Sequence, residues 1–202
     1  MQIPRILTRA LMIALAYEIV FKLAHVFSPA LFEDPVVLAI TRSLGVLVAV
    51  IMISFLVAFY RAEQSNRGLA ITLQILIAVV ILAFLLRLPV AQTWFGFQTG
   101  RLSGAIIGIV RSALFIMVLI LYRRKIAGSH AALNSAVIVL AGFFGVGAIV
   151  NLIALVAFAS YLNSGAVIEP APVIIALLFL LFVLTRLAAI HFLYRYEKHE
   201  LK

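Results

Sequence analysis

The chain contains no cysteine among its 202 residues. This absence excludes disulfides, thiolate metal sites, iron–sulfur ligation and cysteine nucleophiles. The sequence also has no H-E-x-x-H motif for zinc and no GxxxxGK[ST] loop for nucleotide phosphates. No two of the four histidines are expected at matched depth on different spans, which argues against a bis-histidine haem. The sequence therefore predicts no cofactor.

Charged residues are scarce, and acidic residues are the scarcest of all. Only 11% of the chain is charged, against about 25% in soluble domains. The chain has seven acidic and sixteen basic residues, and Glu18 is the only acid within the apolar segments. Catalysis by paired carboxylates or by a Ser-His-Asp set needs acids that this interior lacks. The sequence predicts a protein that is not an enzyme, with an intramembrane lipid enzyme as the disfavoured alternative.

Hydrophobic residues make up 66% of the chain, against roughly 45–50% in soluble domains. No soluble core could absorb this excess, so lipid must solvate much of the surface. The apolar runs are continuous and close to the ~20 residues that a membrane helix needs, which disfavours a barrel. We predict an all-α polytopic membrane protein, one domain over 1–202, with six transmembrane helices in a single bundle. The predicted spans are about 6–28, 36–60, 68–88, 102–122, 131–160 and 172–194.

The net charge of +9 follows the membrane topology and does not indicate nucleic acid. If there are six spans, most basic residues fall on one side, at Arg5, Arg9, Arg61, Arg67, Arg123, Arg124, Lys125, Arg195, Lys198 and Lys202. The opposite loops carry Glu33, Asp34 and Glu169, with Arg87 and Arg101 as exceptions. This positive-inside pattern predicts cytoplasmic termini in the inner membrane of a bacterium. Glu18 and Lys22 interrupt the first span, so we interpret it as a retained helix and not a signal peptide.

Arg111 lies in the middle of an apolar run whose two flanks are each too short to cross a bilayer. A charge at that depth is costly and usually faces a partner, a cavity or a ligand. Counting ~1.5 Å per residue places Glu18, Lys22, Arg42, Arg111 and Asn151 in one layer of the outer half. By the same count, Arg186 lies nearer the cytoplasmic side.

Small residues accompany these polar groups at helical spacing. Gly104 and Gly108 share the face of Arg111, and Gly142, Gly145 and Gly147 precede Asn151. Such residues mark faces where membrane helices approach closely, so all five glycines are predicted helix-packing positions. The alternative for the fifth span is a helix broken at a transport site.

The predicted layer holds one acidic and three basic residues. Such an excess of positive charge is hard to sustain in an apolar interior without an anion or water. Arginine binds carboxylate and phosphate bidentately. The leading hypothesis is therefore an outward-facing cavity that binds or transports an anionic small molecule or lipid through Arg111, Arg42, Glu18, Asn151 and Lys22. In the alternatives, Arg42 and Lys22 extend to the interface, or Glu18 forms a structural ion pair with Lys22 or Arg42.

A second functional hypothesis is a non-catalytic accessory subunit of a larger membrane complex. The expected partners are the lipid bilayer together with an anionic ligand, further copies of the chain or other subunits. In length and span number the chain resembles small six-helix bacterial membrane proteins, such as substrate-binding subunits of vitamin transporters and acid-resistance membrane proteins. The resemblance lies in layout alone and implies no residue roles.

Overall fold

Six long helices make up most of the computed structural model, which describes residues 3–28, 30, 33–86, 97–126, 130–164 and 172–200. Within this part of the chain, every one of the six is long and apolar enough to cross a membrane. The described part of the chain is therefore all-helical, and its six candidate spans suggest a multi-pass membrane protein. The helices are α1 (Arg5–Phe27), α2 (Pro35–Ala62), α3 (Arg67–Leu85), α4 (Phe97–Ile126), α5 (Ala131–Ser164) and α6 (Pro172–Glu200).

Local sequence explains where two of the helices begin. Asp34 caps α2, its Oδ1 accepting from the backbone N–H groups of Val36 at 2.7 Å and Val37 at 3.2 Å. Pro35 follows as the first helical residue, a position where its missing N–H costs nothing. Asn66 caps α3 in the same way by accepting from the N–H of Leu69 at 3.2 Å. These capping residues stand directly before the apolar runs.

Several helices extend past the predicted spans. α4 begins at Phe97 and α6 continues to Glu200, whereas the apolar runs indicated 102 and 194 as limits. Backbone hydrogen bonding continues into charged sequence because long polar side chains at a helix end still reach water. Arg87 and Glu169, which the sequence assigned to the loops, lie outside the described residues, as does the side chain of Arg101.

The helices form a closed ring in chain order. Each helix packs chiefly against the helices before and after it, and α1 packs against α6. Two ion pairs join this last seam, Arg9 with Glu197 and Glu18 with Arg186. As the residue number rises along α1 it falls along α6, so the two helices are antiparallel. The ring thereby brings the first and last helices of the chain together.

An aromatic cluster fills the ring near the end that carries the termini. Tyr122 is fully buried there, with its ring 5.4 Å from that of Phe59 and 6.2 Å from that of Phe192. Tyr196 joins the cluster, with its ring 5.9 Å from that of Phe59. In contrast, the outer surface carries exposed aliphatic side chains such as Ile13 and Ile153. An apolar exterior of this extent is typical of helices that contact lipid.

Candidate functional site

A cavity of about 130 Å³ lies inside the ring, enclosed by side chains of α1, α2, α4, α5 and α6. Its wall is mostly aliphatic and aromatic, and two arginines, Arg111 and Arg186, are part of it. The other lining residues lie between these arginines and the end of the bundle that carries the termini. The cavity thus has a polar end near the middle of the bundle and an apolar end toward the aromatic cluster.

Arg186 is held at the polar end by two neighbours. Its Nε donates to Glu18 Oε2 at 2.5 Å, and its guanidinium carbon lies 4.9 Å from the centre of the Phe182 ring. The side chains of Arg186 and Glu18 retain 28% and 27% exposure, so the pair is neither fully buried nor freely solvated. The ion pair fixes the direction of the guanidinium while leaving part of it accessible from the cavity.

Arg111 enters the same cavity from α4. Counted along each helix from the end that carries the termini, Glu18, Arg186 and Arg111 all lie ~20–22 Å away. The three charged groups therefore share one level. From the sequence, Arg186 was expected nearer the cytoplasmic side, because its depth was counted from residue 194. α6 continues to Glu200, which adds ~9 Å to that depth.

The remaining members of the predicted layer lie elsewhere. Arg42 on α2 and Lys22 on α1 are exposed, and neither lines the cavity. Asn151 packs between α4 and α5, where its Nδ2 donates to the backbone oxygen of Gly147 at 2.8 Å. The structure therefore brings Glu18, Arg111 and Arg186 to one site and separates them from Arg42 and Lys22. The cavity occupies the half of the bundle nearest the termini. The sequence predicted it in the other half.

The five predicted packing glycines fall into two groups. A Cβ on Gly108 would lie 2.6 Å from Asn151 Oδ1, and a Cβ on Gly147 would lie 4.0 Å from Ser112 Oγ, so both stand in the α4–α5 contact. A Cβ on Gly104, Gly142 or Gly145 would have no atom within 4 Å of it among the described neighbours. These three glycines leave open surface on the single chain.

Two features of the site have no clear signal in the sequence. Phe115 and Phe144 stack across the cavity wall, with ring centres 4.5 Å apart and planes inclined by 6°. Arg186 lies in an apolar run, as Arg111 does. The available clue to its place in the site was that Glu18, the lone acid of the apolar segments, could pair with it. The pairing was missed because it depends on the contact between the first and last helices.

The histidine expectation was wrong. His130, just before α5, and His199, in the last turn of α6, lie side by side with ring centres 5.0 Å apart. Within the part of the chain that the structure describes, no group of three or more His, Asp or Glu side chains is placed to hold a metal ion.

Comparison with known proteins gives no relative for this arrangement: no family model, no curated protein and no solved structure matches the chain.

Proposed function

We propose that this protein binds, and in the membrane transports, an anionic small molecule or lipid whose charged group lies between Arg111 and Arg186. The observation that carries the proposal is the presence of both arginines in the wall of one internal cavity. Side chains of this type are expensive in an apolar interior, and in membrane proteins they usually serve a ligand or an ion path.

The charges at the polar end favour an anion. Two arginines and one glutamate meet there, so their formal charges sum to +1. Glu18 is engaged by the Nε of Arg186, and a guanidinium has five N–H donors in all. Carboxylate and phosphate oxygens match this donor geometry, and their attraction is strengthened where water is excluded.

The rest of the wall favours an apolar tail on the same ligand. Phe115, Phe144 and Phe192 line the cavity beyond the arginines, together with aliphatic side chains. Burial of an alkyl group against such a surface contributes about 0.8 kcal/mol per CH₂. An anionic amphiphile would satisfy both ends, with its charge at mid-bundle and its chain toward the aromatic cluster.

The proposal includes an orientation in the bacterial inner membrane with both termini in the cytoplasm. The α2–α3 junction carries Arg61 and Arg67, while the α1–α2 junction carries Glu33 and Asp34. Retention of basic residues in the cytoplasm supports this direction of insertion. In that orientation the apolar end of the cavity lies toward the cytoplasm.

Octanoate and its neutral counterpart 1-octanol test the proposal as a matched pair. Purified protein in detergent should be stabilised against heat by octanoate at concentrations that leave octanol without effect. Arg111→Gln should weaken octanoate binding about tenfold or more, because a hydrogen bond to a charged group contributes ~1.5–3 kcal/mol. The control is Arg42→Gln, which removes an exposed arginine outside the cavity. Equal stabilisation by acid and alcohol, or equal loss in both variants, would reject the proposal.

An accessory subunit is the second candidate, favoured by glycines that have open space beside them. Among the described residues, nothing lies within 4 Å of a Cβ built on Gly104 of α4, or on Gly142 or Gly145 of α5, so another helix could approach closely at either place. Native mass spectrometry after purification from native membranes in mild detergent tests this function. A reproducible second protein in stoichiometric amount supports it, and a lone chain or a homo-oligomer contradicts it.

A further inference from the structure

A second recess lies outside the ring, along the seam where α1 meets α6. It is an open groove of about 520 Å³ near the end of the bundle that carries the termini. None of its lining residues lines the central cavity. The groove therefore needs an explanation of its own, independent of the proposed function.

Basic side chains dominate the groove. Arg5, Arg9 and Lys198 line it together with one acid, Glu197, so the formal charges sum to +2. Arg9 Nη2 lies 2.7 Å from Glu197 Oε1, and Arg9 keeps 65% of its side chain exposed while Glu197 keeps 15%. This ion pair ties α1 to α6 within the groove. Arg5 on α1 and Lys198 on α6 lie beyond it, toward the end of the bundle that carries the termini.

The groove changes from charged to apolar along the helix axis. Arg5 starts α1, while Met12 and Ile13 lie ~10–12 Å farther along the same helix. Ile13 is 71% exposed and faces away from the bundle. Tyr194 on α6 is also exposed, and a tyrosine ring is favoured at the level where headgroups meet acyl chains. Because α1 and α6 are antiparallel and Arg9 pairs with Glu197, Tyr194 lies at about the level of Met12 and Ile13. Basic groups at the helix ends and apolar side chains ~10 Å deeper match the phosphate and the acyl chain of a phospholipid.

We propose that this groove is a binding site for an anionic phospholipid of the leaflet on the side of the termini. Its phosphate contacts Arg5 and Lys198, and one acyl chain lies along Ile13 between α1 and α6. Zwitterionic lipids have the same chains but lack the net charge that the basic side chains select. A lipid bound here would contact both helices and so stabilise the seam that closes the ring.

A single tryptophan placed in the groove measures this selectivity. The chain has one tryptophan, Trp94, so Trp94→Phe with Tyr194→Trp leaves one reporter in the groove. The protein is reconstituted in vesicles of phosphatidylcholine that contain either brominated phosphatidylglycerol or brominated phosphatidylcholine. We expect stronger quenching by the brominated phosphatidylglycerol at equal mole fraction, and a preference that decreases as salt is raised.

Removal of the basic residues should remove the preference. A basic side chain near a membrane surface changes binding of anionic lipid about fivefold, so Lys198→Gln should lower the preference about fivefold. Arg5→Gln added to it should lower the preference further. The matched control is Arg61→Gln with Arg67→Gln, which removes two exposed basic residues from the same end of the bundle but outside the groove.

The proposal is overturned if both brominated lipids quench the reporter equally, or if the control variant loses the preference as much as the groove variant does. Lys198 is exposed, so the single variant keeps the experiment decisive even if the double variant fails to fold. Failure here leaves the octanoate result untouched, because the two sites share no residue.

Discussion

Glu18 is the residue on which the charge balance of the bundle depends. A lone carboxylate in an apolar interior is stable as an anion only beside a cation. From the sequence, Glu18 was expected either in the anion-binding layer or in a structural ion pair with Lys22 or Arg42. The partner in the structure is Arg186, 168 positions away in the chain. Helical spacing predicts neighbours on one helix, but it carries no information about which helix packs opposite.

The first prediction concerns this pair. Glu18→Gln leaves the guanidinium of Arg186 without its anionic partner, so we expect a loss of about 1–3 kcal/mol, between the values for exposed and buried pairs. The apparent melting temperature in detergent and the purified yield both report it. Lys22→Gln is the control, because it changes an exposed residue on the same helix and should alter stability by less than ~0.5 kcal/mol.

The double variant Glu18→Gln with Arg186→Gln separates pairing from a general loss of polarity. If the two residues act as a pair, the double variant should be less destabilised than the sum of the single variants. Additive losses, or equal losses for Glu18→Gln and Lys22→Gln, would contradict the pairing.

At the scale of elements, the α4–α5 contact shows what small residues predicted and what they did not. Gly108 and Gly147 stand where the helices touch, as the spacing indicated, and Asn151 occupies the space above Gly108. Gly104, Gly142 and Gly145 are the same residue type, but a Cβ built on them meets no atom within 4 Å among the residues that the structure describes. A glycine pattern identifies helix faces that permit close approach. Which of them is used depends on the rotation and crossing of the helices, which the pattern does not encode.

The second prediction compares two glycines one turn apart on α4. Gly108→Ala would place its Cβ 2.6 Å from Asn151 Oδ1 and 2.9 Å from the Asn151 amide carbon. The amide is held by its bond to Gly147, so the helices must separate or the bond must break. Overpacking of this kind costs about 1–3 kcal/mol. In the described part of the chain, Gly104→Ala meets nothing within 4 Å, and it should be neutral or slightly stabilising, since alanine favours helix by ~0.5–1 kcal/mol.

Thermal unfolding of both variants in the same detergent checks this contrast. Adding Asn151→Ala to Gly108→Ala should restore part of the lost stability, because it removes the clashing amide. Equal melting temperatures for the two alanine variants would contradict the described α4–α5 contact.

For the whole molecule, the sequence predicted the helices but not the ring. The number and type of the elements follow from the length of the apolar runs, because lipid allows few structures other than a helix to cross it. No comparable rule predicts from the sequence that α1 contacts α6. This contact depends on pairing of residues from opposite ends of the chain, and the position of the cavity depends on it in turn. The depth of Arg186 was misjudged because the apolar run ends before α6 does.

The last prediction tests the orientation of the whole molecule, for which the absence of cysteine is an advantage. Single cysteines introduced at Glu33 and at Ser65, both exposed in the α1–α2 and α2–α3 junctions, report opposite sides of the membrane without background labelling. If basic residues are retained in the cytoplasm, Glu33→Cys reacts with a membrane-impermeant maleimide in intact bacterial cells from which the outer barrier has been removed. Ser65→Cys then reacts only after the inner membrane is permeabilised. The cysteine-free parent must stay unlabelled in both conditions. Labelling of Ser65→Cys in intact cells would reverse the orientation and would place the apolar end of the central cavity toward the outside.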